Sequence, residues 1–362
     1  MQFIKNNWNL IFVSFIVLFL ELLIIRLIGT EIRIFAYLSN LVLLATFFGL
    51  GLGMIIKKRI SILTTGFCLF LTLIATSINY IVRFPNLEFK FASGITELLA
   101  PLSESYIWLQ VNTFSKTGIA FGVFLTILLF INITFIFIPL GQIMGQLFTK
   151  TKKPIMAYSL NIIASIIGLW TFQIFSIARF SPYLGIILVL LGLVLLTRDK
   201  IEKLFLLVLL TVSIAFIAPT TEAKKITYWS PYQKLTLSTA VYDTSNKIPQ
   251  PEGWYLEVNN VGYMNLINLT KEYQASAEAT VNSLENKPII NFPYSNHYEL
   301  PYYFVKQPKD VLIIGAGAGN DAAGALRKGS QNIDAVEIDP TIVEIGKKYH
   351  FEEPYKKQNV NI

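Results

Sequence analysis

Apolar residues follow two rhythms along this chain. Up to Ala218 they come in long runs with few polar breaks. Seven stretches read as membrane-crossing helices: Trp8–Ile28, Ile34–Ile56, Ile60–Val82, Gly118–Ile138, Ile155–Ala178, Phe180–Thr197 and Ile201–Ala218. About 20 consecutive apolar residues span a bilayer, so the last two, the shortest, sit at the lower bound. The first run is too long for a removable leader and lacks a small-residue cleavage site.

From Pro219 onward the runs shorten and alternate. Lys225–Val241 is aromatic and polar, and Leu235–Val241 alternates as a strand does. Gly253–Leu269 predicts a hairpin with Asn259-Asn260 in its turn, because asparagine tolerates the left-handed backbone such turns use. Ala275–Leu284 predicts a short helix. Pro288, Pro293 and Pro301 break the next segment into a linker, with Tyr298–Val305 helical on approach to a sheet. Val311–Ile314 then enters glycines at alternate positions, a small-residue helix follows over Ala322–Lys328, and Ile333–Ile338 reads as a second strand after a turn at Gly329-Ser330. The fold expected is a multi-span α-helical membrane domain over 1–218, a small β-hairpin subdomain with linker over 219–300, and an incomplete Rossmann-like α/β domain over 301–362.

Composition reinforces this division. The chain is 53% hydrophobic and 15% charged, with a mean hydropathy of +0.53. Its net charge of +7 is accounted for by basic loops and attraction to anionic lipid, so the expected partner is a lipid bilayer and no nucleic acid is invoked. Basic clusters at Lys57-Lys58-Arg59, at Lys150 with Lys152-Lys153, and at Arg198 with Lys200 and Lys203 are each separated by two spans. All three therefore face one side, with Lys5. Arg83–Lys116 then lies outside, with Tyr106, Trp108 and Phe114 as interfacial anchors. The single cysteine, Cys68, falls in a span and excludes a disulfide framework; His297 and His350 lack zinc-ligand spacing, so no metal is expected. Within the spans, Glu21 is the polar candidate, since ionisable groups there are costly. Arg26 is about 140° around the helix from it, which excludes a simple same-face pair. The run Gly49–Gly53 suits close helix packing.

The candidate chemistry lies in Asp310–Pro340. Gly315, Gly317 and Gly319 let the chain turn sharply and bring backbone N–H groups close to a ligand. Glu337 ends the second strand, 20 positions after Gly317, where a carboxylate accepts from ribose hydroxyls. Strand, glycines, helix, strand and acid in this order point to a nucleoside site. They leave open whether the nucleoside belongs to a dinucleotide or to an S-adenosyl compound.

The order SPYQ (Ser230–Gln233), hairpin, His297-Tyr298-Glu299, glycine turn and VEIDP (Val336–Pro340) resembles spermidine synthase. The whole chain is similar to the bacterial membrane-fused spermidine-synthase-like proteins. Glu21–Arg26, Phe48–Gly53 and Ala157–Asn161 resemble their membrane half; Gly315–Arg327 and His350–Tyr355 resemble their soluble half. The resemblance implies aminopropyl transfer from decarboxylated S-adenosylmethionine to a diamine such as putrescine, in a multi-pass protein of a bacterial inner membrane, with a homodimer as an assembly to test for. It implies Gly315, Gly317, Gly319, Glu337 and Gln233 as donor-binding residues. Tyr298 and Glu299 match its substrate-side segment loosely. A cytoplasmic soluble domain is expected from where adenosyl donors are found, against the charge rule, which with seven spans places it outside.

Three departures stand against the pattern. Ala318 occupies the place of an aspartate that binds the amino group of the aminopropyl arm, with Asp321 three positions on. Asn259-Asn260 replaces aspartate-glycine. Ile362 falls inside a third strand (Asn359–Ile362), so the catalytic acid is expected beyond it, and the chain is expected to be an inactive piece of a longer one. The alternatives are an S-adenosylmethionine-dependent methyltransferase, or a transporter or sensor with a soluble domain that binds a nucleoside or polyamine.

Overall fold

The computed structural model describes residues 7–77, 91–99, 116–151, 153–217, 225–239, 253–283 and 297–362. Lys5, Lys152, the anchors Tyr106, Trp108 and Phe114, and the linker prolines Pro288 and Pro293 lie outside them. The chain divides into two compact units, Met1–Thr221 and Glu222–Ile362.

The first unit is helical. Its helices are α1 (Trp8–Glu31), α2 (Ile34–Tyr37), α3 (Ser39–Ile55), α4 (Ile62–Thr76), α5 (Phe91–Leu99), α6 (Lys116–Thr149), α7 (Pro154–Ile177), α8 (Pro182–Leu196) and α9 (Lys200–Ile217). Among the described residues, α1, α6 and α7 are long and apolar enough to cross a membrane; α3, α4 and α8 are apolar but shorter. Helix α1 is the hub: Leu10, Leu20, Leu23, Ile24, Leu27 and Ile28 are fully buried against its neighbours. The outward surface is also apolar, with Phe47, Phe48, Ile127, Ile131, Trp170 and Ile174 exposed. Helices apolar all round suit a lipid environment.

Two expectations need adjustment here. The stretch Ile34–Ile56 is interrupted at Leu38, where the Leu41 N–H turns back to the Leu38 carbonyl at 2.8 Å. The stretch that ends at Ile138 runs on to Thr149 through Pro139. Proline removes one helix hydrogen bond, but burial of Phe137, Leu140 and Met144 carries the helix past it. Helix α3 packs closely on α6: a Cβ on Gly49 or Gly53 would collide with the Thr134 or Ile138 carbonyl. Small residues permit this approach of two backbones.

The second unit contains two sheets. Strands β1 (Lys225–Trp229), β2 (Lys234–Thr239), β3 (Gly253–Val258) and β4 (Val261–Ile267) form an antiparallel sheet in chain order. Val258 pairs with Val261, and Asn259 (φ 49°) and Asn260 (φ 63°) make the two-residue turn between them. Helix α10 (Lys271–Asn282) follows. It begins four residues before the expected start because the Thr270 hydroxyl accepts from the Tyr273 N–H at 3.3 Å, as an N-cap does. Tyr298–Val305 is not one helix. A 3₁₀ turn over His297–Glu299 is separated from α11 (Pro301–Phe304), since Pro301 has no N–H to continue the ladder.

Strands β5 (Asp310–Ile314), β6 (Asn332–Val336) and β7 (Val360–Asn361) form a parallel sheet in that order, with α12 (Asn320–Arg327) and α13 (Pro340–Tyr349) between them. On one face, Ile333, Ala335 and Val360 pack with Ala322 and Ala325 of α12 and with Tyr302 and Tyr355. Helix α13 sends Ile342 and Ile345 into the core of the antiparallel sheet, against Leu235, Leu237, Leu256 and Leu266. Among the described residues nothing covers the opposite face of the parallel sheet: Leu312, Ile314, Val336 and Ile338 are 64%, 81%, 52% and 75% exposed.

Candidate functional site

The site grows from the carboxyl end of β5. Gly315, Gly317 and Gly319 all have positive φ (77°, 58° and 106°), a region that costs an L-residue about 1–2 kcal/mol. The turn is fastened on several sides. The Gly315 and Ala316 N–H groups donate to the Val336 carbonyl at 2.9 and 3.0 Å. From behind, the buried Tyr355 hydroxyl lies 2.7 Å from the Gly317 carbonyl and 3.1 Å from that of Ala316. Burial raises the Tyr355 phenol above its ordinary range, which keeps it a donor. Met264 of β4 lies over Gly317, where a Cβ would press on its methyl at 2.5 Å.

Glu337 closes the arrangement. Its Oε2 accepts from the Gly317 N–H at 2.9 Å across 20 positions of sequence, and its Oε1 accepts from the Asp339 N–H at 2.8 Å. A carboxylate oxygen has two lone-pair sites, so each oxygen keeps one for a further donor. Asp339 is buried. Its Oδ1 caps α13 by accepting from the Thr341 N–H at 2.9 Å, and its Oδ2 accepts from Gln233 Nε2 at 3.1 Å. The SPYQ segment holds Gln233 in place: the buried Ser230 hydroxyl accepts from the Tyr232 and Gln233 N–H groups at 3.1 and 2.9 Å. Gln233, Asp339, Glu337 and Gly317 thus form one hydrogen-bonded row. Three of these residues were sequence candidates; Asp339 was not. The pair Asp339-Pro340 carried the clue, an N-cap residue followed by proline in the first helical position.

A second network fixes the start of α12. Asn320 donates to the Asn265 carbonyl at 2.8 Å and its Oδ1 lies 3.1 Å from His350 Nε2. His350 Nδ1 accepts from the Glu352 N–H at 3.2 Å, which leaves Nε2 to carry the proton and donate to Asn320. Burial, with Arg327 nearby, pushes the His350 pKa down to about 4. Neither Asn320 nor His350 was a sequence candidate.

Tyr298 and Glu299 separate. Tyr298 hydrogen-bonds with Asn320, and burial raises its phenol. It lines a cavity of about 470 Å³ along β5, together with Tyr302, Val305, Asp310, Ile314 and Asp321. Glu299 is committed to ion pairs, with Arg327 Nε at 2.6 Å and Lys328 Nζ at 2.8 Å. Burial pushes its carboxyl up, but Lys328 and Arg327 outweigh that and hold it below the ordinary range. Ala318 is fully buried. No family model, curated protein or solved structure matches this chain.

Among the remaining candidates, Glu21 accepts from the Thr46 hydroxyl of α3 at 3.2 Å, and Arg26 donates to the Ser176 hydroxyl of α7. Each therefore links α1 to another helix of the first unit. Gly315, Gly317, Gly319 and Glu337, expected from the sequence to contact an adenosyl-type group, lie together at the carboxyl end of β5, with Gln233 behind Asp339. No catalytic acid or base is assigned among the described residues.

Proposed function

We propose that the second unit is a Rossmann-like binding site for an S-adenosyl-type donor, carried by a multi-pass membrane protein. The parent activity is then a spermidine-synthase-like aminopropyl transfer. The observation that carries this reading is the Glu337 carboxylate, pinned by the Gly317 and Asp339 amides. Its position is set before a ligand arrives, and its two remaining lone-pair sites suit the two hydroxyls of a ribose. In the transfer, the neutral nitrogen of a diamine such as putrescine attacks the aminopropyl carbon bonded to the sulfonium. That C–S bond breaks, its electron pair stays on sulfur to give methylthioadenosine, and the new ammonium loses a proton. An S-adenosylmethionine-dependent methyltransferase is the second reading, favoured by buried Ala318, which offers no carboxylate for an aminopropyl arm.

The test is calorimetry on the full chain in lipid nanodiscs. Methylthioadenosine should bind, and Glu337→Ala should weaken it by tenfold or more. Equal affinity of wild type and variant would remove the nucleoside reading. The expected seven-span arrangement in a bacterial inner membrane is checked separately by cysteine labelling of the basic loops from each side.

A further inference from the structure

The first unit holds a buried acid for which the nucleoside site has no use. Glu21 lies midway along α1 and is 4% exposed, and Thr46 of α3 beside it is fully buried. The Thr46 hydroxyl is its hydrogen-bond partner, at 3.2 Å, and among the described residues no ion pair reaches it. Of the longer helices packed on α1, α3 carries no titratable side chain, α4 carries Cys68, α6 Lys116 in its first turn, α7 Tyr158 and α8 Tyr183. None of these bonds to Glu21; the Tyr183 hydroxyl is taken by Glu31 and by the Thr76 carbonyl, each at 3.0 Å. We infer that Glu21 is a reversible proton-binding site of the first unit, with the Thr46 hydroxyl serving both of its charge states. The inference stands apart from the nucleoside reading of the second unit.

Hydrogen-bond accounting identifies the ligand. A hydroxyl has one proton to give and lone pairs to receive. That of Thr46 also lies 2.7 Å from the Leu43 carbonyl, a group that can only accept. With Glu21 ionised, the carboxylate and the carbonyl compete for this one proton. With Glu21 protonated, both contacts are satisfied: its O–H donates to the Thr46 oxygen, and Thr46 donates to Leu43. An enclosed carboxylate with a single neutral donor is costly, and a neutral carboxyl avoids that cost. A metal cation would need about six oxygens around it, whereas a proton needs one lone pair. On release, the carboxyl O–H bond breaks, its electron pair stays on Glu21 and the proton passes to water. That water must enter between α1 and α3 to hydrate the charge left behind.

Infrared difference spectra of the full chain in lipid nanodiscs, taken between acid and alkaline buffer, test this. The wild type should show a protonated-carboxyl C=O band that falls as pH rises, and Glu21→Gln should lose that band. Thr46→Val removes the acceptor of the carboxyl proton, so the band should persist but move to higher frequency. The amide of Glu21→Gln can donate to Thr46 as the protonated acid does, so this variant should melt close to wild type. An identical band in Glu21→Gln would overturn the assignment. So would a Glu21 band of constant intensity across the pH range, the mark of a fixed structural carboxyl. Should Glu21→Gln not fold, Thr46→Val decides: if no titrating band shifts in it, the assignment is overturned.

Discussion

The Gly317 amide and the Glu337 carboxylate meet at 2.9 Å across the carboxyl ends of two neighbouring parallel strands. The bond makes Glu337 part of the fold as well as of the candidate site, and substitutions should separate the two roles. Glu337→Ala leaves the Gly317 and Asp339 N–H groups without their acceptor, which costs about 1–3 kcal/mol for each buried group left unsatisfied. Glu337→Gln keeps one carbonyl oxygen and loses less. Thermal melts of the full chain should rank wild type, Gln and Ala in that order. Ligand affinity should fall in both variants, since the amide has one acceptor where the carboxylate has two.

The three glycines should not be equivalent. A Cβ on Gly315 meets open space, whereas one on Gly319 would lie 2.7 Å from Pro354 Cγ. Gly315→Ala therefore suffers backbone strain alone, about 1–2 kcal/mol; Gly319→Ala adds a clash with a rigid ring. Gly317→Ala pushes on the flexible Met264 methyl and should fall between them. Melting temperatures in the order Gly319→Ala, Gly317→Ala, Gly315→Ala, lowest first, are the expected result.

His350 should make stability fall in acid. Its folded pKa is depressed to about 4 from the ordinary 6.5, so the unfolded chain binds its proton first as pH drops. The stability from its neutral form is complete above pH 6.5 and is lost as pH falls toward 4, an effect of up to ~3 kcal/mol. His350→Gln, which offers Asn320 a donor but does not titrate, should flatten the slope of stability against pH within that window. An unaltered slope would assign the acid sensitivity to other groups.

Local patterns in the sequence disclosed a good part of this architecture. The hairpin was legible because Asn259-Asn260 interrupts two alternating runs, and that pair adopts the left-handed turn. The β5 elbow was legible because three glycines follow an apolar run. What stayed hidden depends on partners distant in the chain. Asp339 meets Gln233 across 106 positions, and nothing in the residues around either marks the pairing. Glu299 reads, with Tyr298, as a loose match to a substrate-side segment, and only the fold reveals its pairing with Arg327, 28 residues on. Pro139 argues for a helix end, yet the buried side chains on both sides of it carry α6 through.

Glu299 offers a contrast with Glu337. Its contacts are Arg327 and Lys328, with about 10% of its side chain accessible. Removing one partner of a pair this sheltered costs more than breaking a surface pair, about 3 kcal/mol or somewhat less. Glu299→Gln should lower the melting temperature most at neutral pH. Because its folded pKa is depressed, the difference from wild type should shrink as pH falls through the carboxylate range. Methylthioadenosine affinity at a temperature where both proteins are folded is the discriminating measurement. A loss comparable to that of Glu337→Ala would put Glu299 on the ligand side after all.

Among the described residues, the parallel sheet is covered on one face only. Leu312, Ile314, Val336 and Ile338 project from the other with more than half of their surface exposed. Parallel sheets are ordinarily covered on both faces, and β5 runs along the sheet edge without proline or lysine to deter pairing. An apolar face beside such an edge favours association between copies of the chain. Detergent-solubilised protein should therefore shift to larger species in sedimentation velocity as its concentration rises. Val336→Lys, on the bare face, should reduce that shift with little change in melting temperature. Ala335→Lys, one residue earlier and on the packed face, should unfold the unit instead, because a one-residue step along a strand moves the side chain to the opposite side. If Val336→Lys proved as damaging as Ala335→Lys, the face would already be covered in the folded protein.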